Sequence, residues 1–414
     1  MSWFLTRRRE QIPASVWKHT LRTVFFRQRY KRPSHTFTAE IELLVVPLII
    51  DAIGWIDLTK WNVIRGSLMN KKTTYKDAGV DIDAGMECLE RIKSAAKSTH
   101  TSAVLSGLGT FGSLYDLKKI LEDYKEPVLV QSVDGVGTKL MVANMTGRHA
   151  SVGFDIVNHC CNDILCQGAK PLTFLDYIAS ESLKPAQIEA LVSGMAVACL
   201  KAGVALVGGE TAELPGTYSK GEYDLVGIIT GVVEKSKIIT GKDISPGDAI
   251  VGLASSGLHT NGYTLARKAL FEKMGLNVSD TPPGIGRSVG DALMEPHRNY
   301  SNALWPMLQD HPVKGLAHIT GGGLIDNIPR ILPNNTDAVI EKGSWEIPPL
   351  FTMIQEGAGV PEGDMFRTFN MGIGMAIVTD SDTAESLKNA LEKAGEKVFM
   401  IGSIEKGTGK VRLV

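Results

Sequence analysis

The sequence predicts two domains that each combine α-helices with β-strands. Its 414 residues, of which 43% are hydrophobic, suffice for about two separate cores. From residue 73 onward, helical spacing of apolar residues alternates with short apolar runs that are typical of strands. The pattern yields to short polar turns at residues 235–246, which we interpret as a domain boundary. We therefore expect domains at residues 69–238 and 239–414.

In the first domain, helices are predicted where apolar residues recur at every third or fourth position, and strands where apolar and β-branched residues stand together. The predicted helices cover residues 83–97, 155–167 and 185–202, with a shorter amphipathic stretch at 113–124. The predicted strands cover residues 127–133, 172–179, 204–207 and 225–233.

The second domain repeats this alternation. A helix is predicted at residues 261–274, with Asn261 as its N-cap, and strands near residues 337–340 and 374–378. A glycine cluster at residues 321–323 precedes a further predicted helix at residues 324–330.

The composition favours a cytoplasmic protein that does not bind nucleic acid. The formal net charge is −1, but residues 1–68 carry eleven Lys/Arg against five Asp/Glu, which leaves 33 against 40 for the rest. A mildly acidic body gives no reason to expect nucleic acid as a partner. Five cysteines without paired spacing fit a reducing compartment. The apolar stretch at residues 41–56 contains two acids and a proline and is too short to cross a membrane.

Residues 1–68 differ in character from the rest of the chain. Their first part is rich in arginine and almost lacks acids, as transit peptides do, although serine is scarce. Three interpretations stay open: translated upstream sequence with Met69 as the true start, a targeting segment, or a structured accessory segment.

The segment Asp134-Gly-Val-Gly-Thr-Lys139 follows the predicted strand at residues 127–133 and carries groups suited to phosphate. Gly135 and Gly137 let backbone N–H groups approach an anion closely, and Thr138 adds a hydroxyl. Lys139 offers a mobile positive charge, and the carboxylate of Asp134 suits the Mg²⁺ that accompanies a nucleotide triphosphate.

Two further acids strengthen this interpretation. A helix from residue 155 places His159, Asn162 and Asp163 on one face, and Glu210 follows the predicted strand at 204–207. Alone, Asp163 reads as a solvated surface acid. If it converges with Asp134 and Glu210, three carboxylates can bridge Mg²⁺ to a polyphosphate.

Two other chemistries are considered and set aside. Gly107, Gly109 and Gly112 form a dinucleotide fingerprint, with Asp134 at about the distance of a ribose-binding acid, but the segment before Gly107 is a poor buried strand. The spacing His-Cys-Cys-x₄-Cys at residues 159–166 suggests zinc. A helix turns adjacent cysteines in different directions, however, and no second ligand pair follows.

The second domain offers two more candidate sites. His259 lies in a loop of small residues, where a histidine is more often structural than catalytic. The turn formed by Thr320, Gly321, Gly322 and Gly323 precedes a predicted helix, whose free N–H groups suit a phosphate; the alternative is a plain tight turn.

These segments occur in the order found in the phosphoribosylformylglycinamidine cyclo-ligase (AIR synthetase) family, as do Leu258-His-Thr-Asn-Gly262 and residues 365–374. The chain resembles this family from about residue 73 to its end. The resemblance implies an α+β fold and a homodimer whose N-terminal domains, each with a mixed sheet, join into a β-barrel. It also implies ring closure of formylglycinamidine ribonucleotide with ATP and Mg²⁺.

The resemblance suggests a role for each candidate residue. Asp134, Asp163 and Glu210 would hold metal, and Lys139 would stabilise the transferred phosphoryl group. His259 would position the reacting amide or exchange a proton with it. The segment from Gly107 to Gly112 would close over the nucleotide or the substrate, and Thr320 to Gly323 would bind the ribose phosphate.

Related activities compete with this interpretation. No cysteine occurs at residues 107–117, where selenophosphate synthetases carry a reactive one, and the chain does not end in the cysteine of the hydrogenase maturation relatives. Thiamine-phosphate kinase is the nearest enzymatic alternative. A non-catalytic nucleotide-binding regulator would be expected to lack the acids and the lysine that are present here.

Overall fold

Two mixed β-sheets organise residues 73–414, the part of the chain that the computed structural model describes. The first sheet has the strand order β1-β4-β2-β3, and the second has the order β10-β7-β9-β5-β8-β6. The interpretations of residues 1–68 lie outside the described residues. The predicted mixture of helices and strands in two sheet-bearing parts is confirmed, whereas the domain limits at 69–238 and 239–414 stay predictions.

The strands of the first sheet are β1 (Pro127–Gly135), β2 (Lys170–Ser180), β3 (Ala205–Glu213) and β4 (Tyr223–Glu234). The helices around it are α1 (Ile82–Ser98), α2 (Lys118–Leu121), α3 (Lys139–Thr146), α4 (His149–Leu165) and α5 (Pro185–Ala202). β4 pairs antiparallel with both β1 and β2, and β2 pairs parallel with β3.

The strands of the second sheet are β5 (Ala249–Ala254), β6 (Val313–His318), β7 (Thr336–Ile340), β8 (Ile373–Thr379), β9 (Val398–Lys406) and β10 (Val411–Leu413). Its helices are α6 (Tyr263–Arg267), α7 (Val289–Leu293), α8 (Ser301–Met307), α9 (Gly323–Asn327), α10 (Pro349–Ala358), α11 (Glu362–Thr368) and α12 (Ser381–Lys393). Short helical turns of other types are Lys235–Lys237, Lys268–Lys273 and Ile328–Ile331. Among the described residues, no helix combines the length and the apolar character that crossing a bilayer requires.

Most predicted elements are confirmed, and the differences have local causes. The helix predicted at 185–202 is observed with those bounds, beginning on Pro185 and ending before Gly203 in the left-handed conformation. The helix predicted at 261–274 instead changes to a wider π-helical turn after Arg267. The helix predicted at 324–330 is α9 followed by a 3₁₀ turn that contains Pro329, which has no N–H to continue an α-helix.

One predicted strand end is wrong. The strand expected at 204–207 continues to Glu213, so Gly208, Gly209 and Glu210 lie within β3 rather than after it. They pair in parallel with β2, and a side chain at Gly209 would overlap the carboxylate of Asp176. Glycine at these two positions of β3 therefore leaves room for side chains of β2 that lie close to it.

The helices α4 and α5 cover the inner face of the first sheet and bury most of their apolar side chains there. They approach each other through Gly153 and Gly194. A Cβ atom on Gly153 would overlap the backbone at Leu191, and one on Gly194 would overlap the carbonyl group of Ala150. The crossing thus depends on two residues that have no side chain.

The second part of the chain is attached to α4 by polar contacts rather than by apolar packing alone. Polar side chains that follow one another after about two turns and then about one turn along α4 bind backbone groups of residues 294–300. The Oγ atom of Ser151 donates to Met294 O (2.6 Å), and the Nδ2 atom of Asn158 donates to His297 O (2.6 Å). Asn162 donates to Arg298 O (2.8 Å) and accepts from Tyr300 N (2.9 Å). We call these side chains the polar row of α4.

We predict that Gly194→Ala destabilises the protein by about 2–3 kcal/mol, because the added methyl group would force α4 and α5 apart. Urea unfolding followed by circular dichroism measures the change. Gly363→Ala is the matched control, because Gly363 lies in a helix with open space around its Cα; it should be neutral or stabilising by up to about 1 kcal/mol. An unchanged urea midpoint for Gly194→Ala would contradict the role of this crossing.

Candidate functional site

The end of β1 and the middle of α4 bring two of the predicted acids together around one histidine. The Nε2 atom of His159 lies 2.8 Å from Oδ2 of Asp134 and 3.6 Å from Oδ2 of Asp163. Asp163 also accepts from Nδ1 of His318 (2.8 Å) and from the hydroxyl of Ser132 (3.2 Å). The predicted convergence of Asp134 and Asp163 therefore exists in the structure, with imidazoles between and beside them.

Four histidines lie next to one another here, and we call His159, His259, His297 and His318 the histidine cluster. His297 Nε2 lies 3.0 Å from His318 Nε2, and the ring of His297 stacks on that of His259 with 3.9 Å between centroids. The hydroxyl of Thr260 connects Nδ1 of His159 (2.8 Å) to Nδ1 of His297 (3.4 Å). All four rings are buried.

Burial and neighbouring charge act in opposite directions on these groups. Burial lowers the pKa of His259 and of His297 well below the ordinary value, and the other histidines add to this effect. Burial also disfavours charge on His159, but its bond to Asp134 and the two carboxylates outweigh burial and raise its pKa. The pKa values of Asp134 and Asp163 are lowered in spite of burial, because a histidine binds each carboxylate. Of the four imidazoles, His159 is therefore the one whose surroundings favour positive charge.

The structure places Lys139 inside the protein, not at a phosphate site. Its ammonium group contacts Oδ1 of Asp155 (2.9 Å), His259 O (3.0 Å) and Glu295 O (2.8 Å). The side chain is fully buried, and these partners account for its three N–H donors. This contradicts the predicted mobile charge, because a buried ammonium with three protein partners cannot also bind a nucleotide.

The structure also separates Glu210 from the other two acids. Asp134, Gly227, Asp176 and Gly209 pair in one row across the sheet, and Glu210 belongs to the next row, where it pairs with Tyr177. Successive residues of a strand point to opposite faces, and the strands lie about 4.8 Å apart. Within one chain, Glu210 is thus three strands from Asp134 and on the other face of the sheet. The predicted three-carboxylate metal site does not form within one chain.

Glu210 instead lines a cavity of about 790 Å³ together with the glycine segment. Gly107, Gly109 and Gly112 form an exposed loop at its rim, and no side chain or backbone atom would block a Cβ at Gly107 or Gly112. Asp176 lies in the same wall, and burial raises its pKa to about 7, with the charge of Glu210 adding to the shift. The fingerprint glycines and one predicted acid therefore share a wall that sequence spacing did not indicate.

A second groove, of about 510 Å³, lies at the end of the motif that began with Asp134. Its lining includes Thr138, Thr264 and Lys268, and the hydroxyls of Thr138 and Thr264 lie 3.0 Å apart. Gly135 precedes this groove at the end of β1, and Gly137 adopts the left-handed conformation with φ +62°. The predicted glycines thus turn the chain so that Thr138 faces the groove.

The glycine turn of the second domain lies beside this groove, because a Cβ on Gly321 would come within 3.2 Å of the amide oxygen of Asn261. The Nδ2 atom of Asn327 donates to the carbonyl oxygens of Thr320 (3.4 Å), Gly321 (3.2 Å) and Gly323 (2.8 Å). These bonds hold the turn in shape. Gly322 and Gly323 both have positive φ, which few other residues adopt.

His259, like Lys139, is almost completely buried. It is 1% exposed, has φ +62°, and accepts a hydrogen bond from Ser256 N at Nε2 (3.2 Å). Its Nδ1 atom is buried without a partner among the described residues. The residue therefore lies behind the site, where its ring supports His297.

Sequence reasoning missed His297, Asp155 and Asp176. His297 lies in an irregular segment between α7 and α8, where no periodicity marks it, and Asp155 was read only as the start of a helix. The observed helix begins at His149, so Asp155 lies inside it and is fully buried. A lysine, an aspartate and a histidine spread over more than 100 positions give no local signal of contact.

Comparison with known proteins gives consistent results over the described chain. The profile of the AIR synthase related protein, N-terminal domain, matches residues 119–233, and that of the C-terminal domain matches residues 245–414. A phosphoribosylformylglycinamidine cyclo-ligase of Citrifermentans bemidjiense is 49% identical over 81% of this chain and 96% of that protein. One of Thermoanaerobacter pseudethanolicus is 50% identical over 82% of this chain and 99% of that protein.

Solved structures share the fold at low sequence identity. A thiamine-monophosphate kinase from Stenotrophomonas maltophilia has a TM-score of 0.59 and 18% identity, covering 79% of this chain and 95% of its own. E. coli HypE has a TM-score of 0.57 and 17% identity, covering 78% of this chain and 93% of its own. At such identities, the comparison supports the fold only.

We predict that Lys139→Met destabilises the protein by about 3–5 kcal/mol, because it leaves the carboxylate of Asp155 buried and unpaired. Urea unfolding measures the loss, and the exposed Lys220→Met serves as control, with an expected change within about 0.5 kcal/mol. The double variant Lys139→Met/Asp155→Asn should recover part of the loss. A loss below about 1 kcal/mol for Lys139→Met would contradict the structural role of this lysine.

Proposed function

This chain belongs to the phosphoribosylformylglycinamidine cyclo-ligase family of AIR synthase related proteins, and from that premise we propose how its residues carry out the family's reaction. The enzyme uses ATP to close the imidazole ring of formylglycinamidine ribonucleotide, giving 5-aminoimidazole ribonucleotide, ADP and phosphate. This is the fifth step of purine biosynthesis. The observation that carries the assignment is the identity to enzymes of this name over nearly their whole length. The thiamine-phosphate kinase alternative has only a shared fold in its favour.

The chemistry requires that a formamide oxygen become a leaving group. ATP phosphorylates this oxygen, the amidine nitrogen attacks the same carbon, and the C–O bond breaks with release of phosphate. Such a transfer depends mainly on positioning and on stabilising the charge of the phosphoryl group. Backbone N–H groups and hydroxyls at two exposed grooves are the groups that this chain offers for the task.

We assign the nucleotide to the cavity of about 790 Å³ beside the glycine segment. Gly107, Gly109 and Gly112 let the loop approach phosphates closely, and Glu210 faces the same space. Asp176, with a pKa raised to about 7, holds less negative charge than an ordinary carboxylate and so repels phosphates less. These features support ATP binding at this wall.

We assign the substrate's ribose phosphate to the groove beside Thr138. The glycine turn from Thr320 to Gly323 lies next to it, and Asn327 holds the turn. Thr138 and Thr264 offer hydroxyls, and the exposed Lys268 offers a positive charge. His259 acts as a positioning residue through its stacking on His297.

The ATP dependence of the family implies Mg²⁺, and the donor atoms here can be tested against it. Mg²⁺ prefers an octahedral set of oxygen ligands. Asp134 and Asp163 are each bound by an imidazole, and Glu210 lies elsewhere. The three predicted ligands therefore do not fit one Mg²⁺ site within the chain, and no step of the reaction is derived through such a site. Glu210 stays our proposed contact for an ion that arrives on the ATP phosphates.

We further propose a homodimer formed by the outer face of the first sheet. Leu129 (58% exposed), Val133 (63%) and Leu175 (36%) present large apolar side chains on this face. Soluble proteins seldom expose several such residues on one surface without a partner. A second copy that covers them with its own sheet would form the β-barrel expected from the family resemblance.

The five free cysteines agree with action in the cytoplasm.

To test the activity, the full-length protein would be incubated with formylglycinamidine ribonucleotide, ATP and Mg²⁺. ADP and the aminoimidazole product, which is detected by diazo coupling, should be released in equal amounts.

Glu210→Gln should lower kcat/KM for ATP by about 10-fold or more, since about 1.4 kcal/mol of lost stabilisation has that effect. The exposed Glu272→Gln should leave it unchanged. Absence of both products would contradict the function, and an unaffected Glu210→Gln variant would contradict only the nucleotide assignment.

We predict that Val133→Asp converts a dimer into a monomer, because it places a charge in the proposed apolar interface. Analytical ultracentrifugation measures the mass. Val197→Asp is the control, because Val197 is also exposed, at 41%, but lies on α5. A wild-type protein that sediments as a monomer at micromolar concentration would contradict the proposal.

A further inference from the structure

We propose that Asp176 accepts a hydrogen bond from the amino group of adenine and so selects the base of the bound nucleotide. This inference rests on the proposed function, since it adds a base-recognising residue to the cavity to which ATP is assigned. Asp176 belongs to β2 and lines the cavity of about 790 Å³. It is 8% exposed, whereas Glu210 of the same cavity is exposed. The two acids of the cavity therefore lie at different depths.

The carboxyl group of Asp176 is nearly buried without a hydrogen-bond donor from another residue. Within residues 73–414, only its own N–H group lies close enough to donate to it, whereas Asp134 and Asp163 are each bound by a histidine. Glycine at position 209 leaves room beside it, because a Cβ atom there would overlap Oδ1 of Asp176. A buried acceptor that lacks a donor is destabilising, and an N–H group of a ligand in the cavity would supply that donor.

The surroundings of Asp176 suit a flat, uncharged ring better than a phosphate. Leu89 and Ile92 of α1, Val192 of α5 and Leu206 of β3 line the cavity with apolar side chains. Of the described residues that line it, two are acids and none is a lysine, an arginine or a histidine. A triphosphate would be repelled from the buried end, whereas adenine has two apolar faces and an amino group at its edge.

The triphosphate then extends towards the glycine segment at the rim. Backbone bonds from Leu105 N to Leu114 O (2.8 Å) and from Asp116 N to Ala103 O (2.7 Å) hold the base of this loop. Its tip, with Gly107 to Gly112, is exposed and can approach phosphates closely. The base of the nucleotide therefore lies deep in the cavity, and its charged end lies near solvent.

The proposed bond forms in either protonation state of Asp176. Burial raises the pKa of this carboxyl group to about 7, and the charge of Glu210 adds to the shift. The nearby thiols of Cys88 and Cys199 are neutral, because burial raises their pKa as well. An ionised carboxylate accepts from the amino group of adenine, and a protonated one can also donate to N1 of the ring. Recognition of the amino group thus does not depend on titration of this residue.

Binding to the full-length protein tests the proposal without turnover. Calorimetry would compare ATP with purine riboside triphosphate, in which a hydrogen atom replaces the amino group. The wild type should bind the analogue at least about 10-fold more weakly, because the buried carboxyl group is then left without its partner. Equal affinities for the two nucleotides, or no binding of ATP, would overturn the proposal. This comparison needs no variant.

Two variants separate recognition from a structural role. Asp176→Asn keeps an oxygen acceptor and should bind ATP within about 3-fold of the wild type. Asp176→Ala should bind ATP about 10-fold more weakly and should no longer distinguish ATP from the analogue. A purely structural role would weaken both nucleotides equally and leave the discrimination intact. Asp224→Ala is the matched control, because Asp224 lies in β4 of the same sheet but does not line the cavity, and it should behave as the wild type.

The ring-closure assay on the same preparations keeps the two proposals apart. Absence of ring closure by a protein that still distinguishes ATP from the analogue would contradict the proposed function and support recognition by Asp176. Ring closure by a protein that binds ATP and the analogue equally would overturn only the role of Asp176.

Discussion

The polar row of α4 is the constraint on which the rest of the structure depends. Ser151, Asn158 and Asn162 bind backbone groups of residues 294–300, and Asp155 accepts from His297 N (2.7 Å) in the same row. The row can lie inside the protein only because each of these groups has a partner. Its bonds fix the position of His297 and with it the order of the histidine cluster. The candidate site is therefore built at a junction that polar contacts, in addition to apolar burial, keep in register.

Charge in the interior follows from the same arrangement. Asp155 needs a cation because it is buried, and Lys139 supplies it while also binding two backbone carbonyl groups from the second part of the chain. The histidine cluster then lies between this internal ion pair and the partly exposed Asp134. Burial keeps His259 and His297 neutral, and the two carboxylates favour charge on His159. A substrate that approaches from Asp134 would therefore meet charged groups at the rim of the cluster and neutral imidazoles deeper inside.

The sequence predicted what depends on local patterns and missed what depends on distant contacts. Periodicity gave the helix at 185–202 and the existence, though not the full length, of the strands that flank it, because these signals lie within one element. The face on which Glu210 lies depends on strand register and on the continuation of β3 through two glycines, which propensity argues against. Lys139 was placed correctly in the segment that follows β1, but the direction of its side chain is set by Asp155, which is recognisable as its partner only once α4 and α3 are packed. The resemblance to a family identified the activity without showing which groups face solvent.

The three partners of Lys139 have a consequence for synthesis on the ribosome. Two of them, the carbonyl groups of His259 and Glu295, belong to a part of the chain that is made long after α3 and α4. Until residue 300 has left the exit tunnel, the ammonium, Asp155 and the polar row lack their final neighbours and must stay hydrated. The first sheet can pair its strands early, but its helical layer cannot reach its final packing during translation of the first half alone. The two halves must therefore mature together, and quality control in the cell would meet them as one late-closing unit.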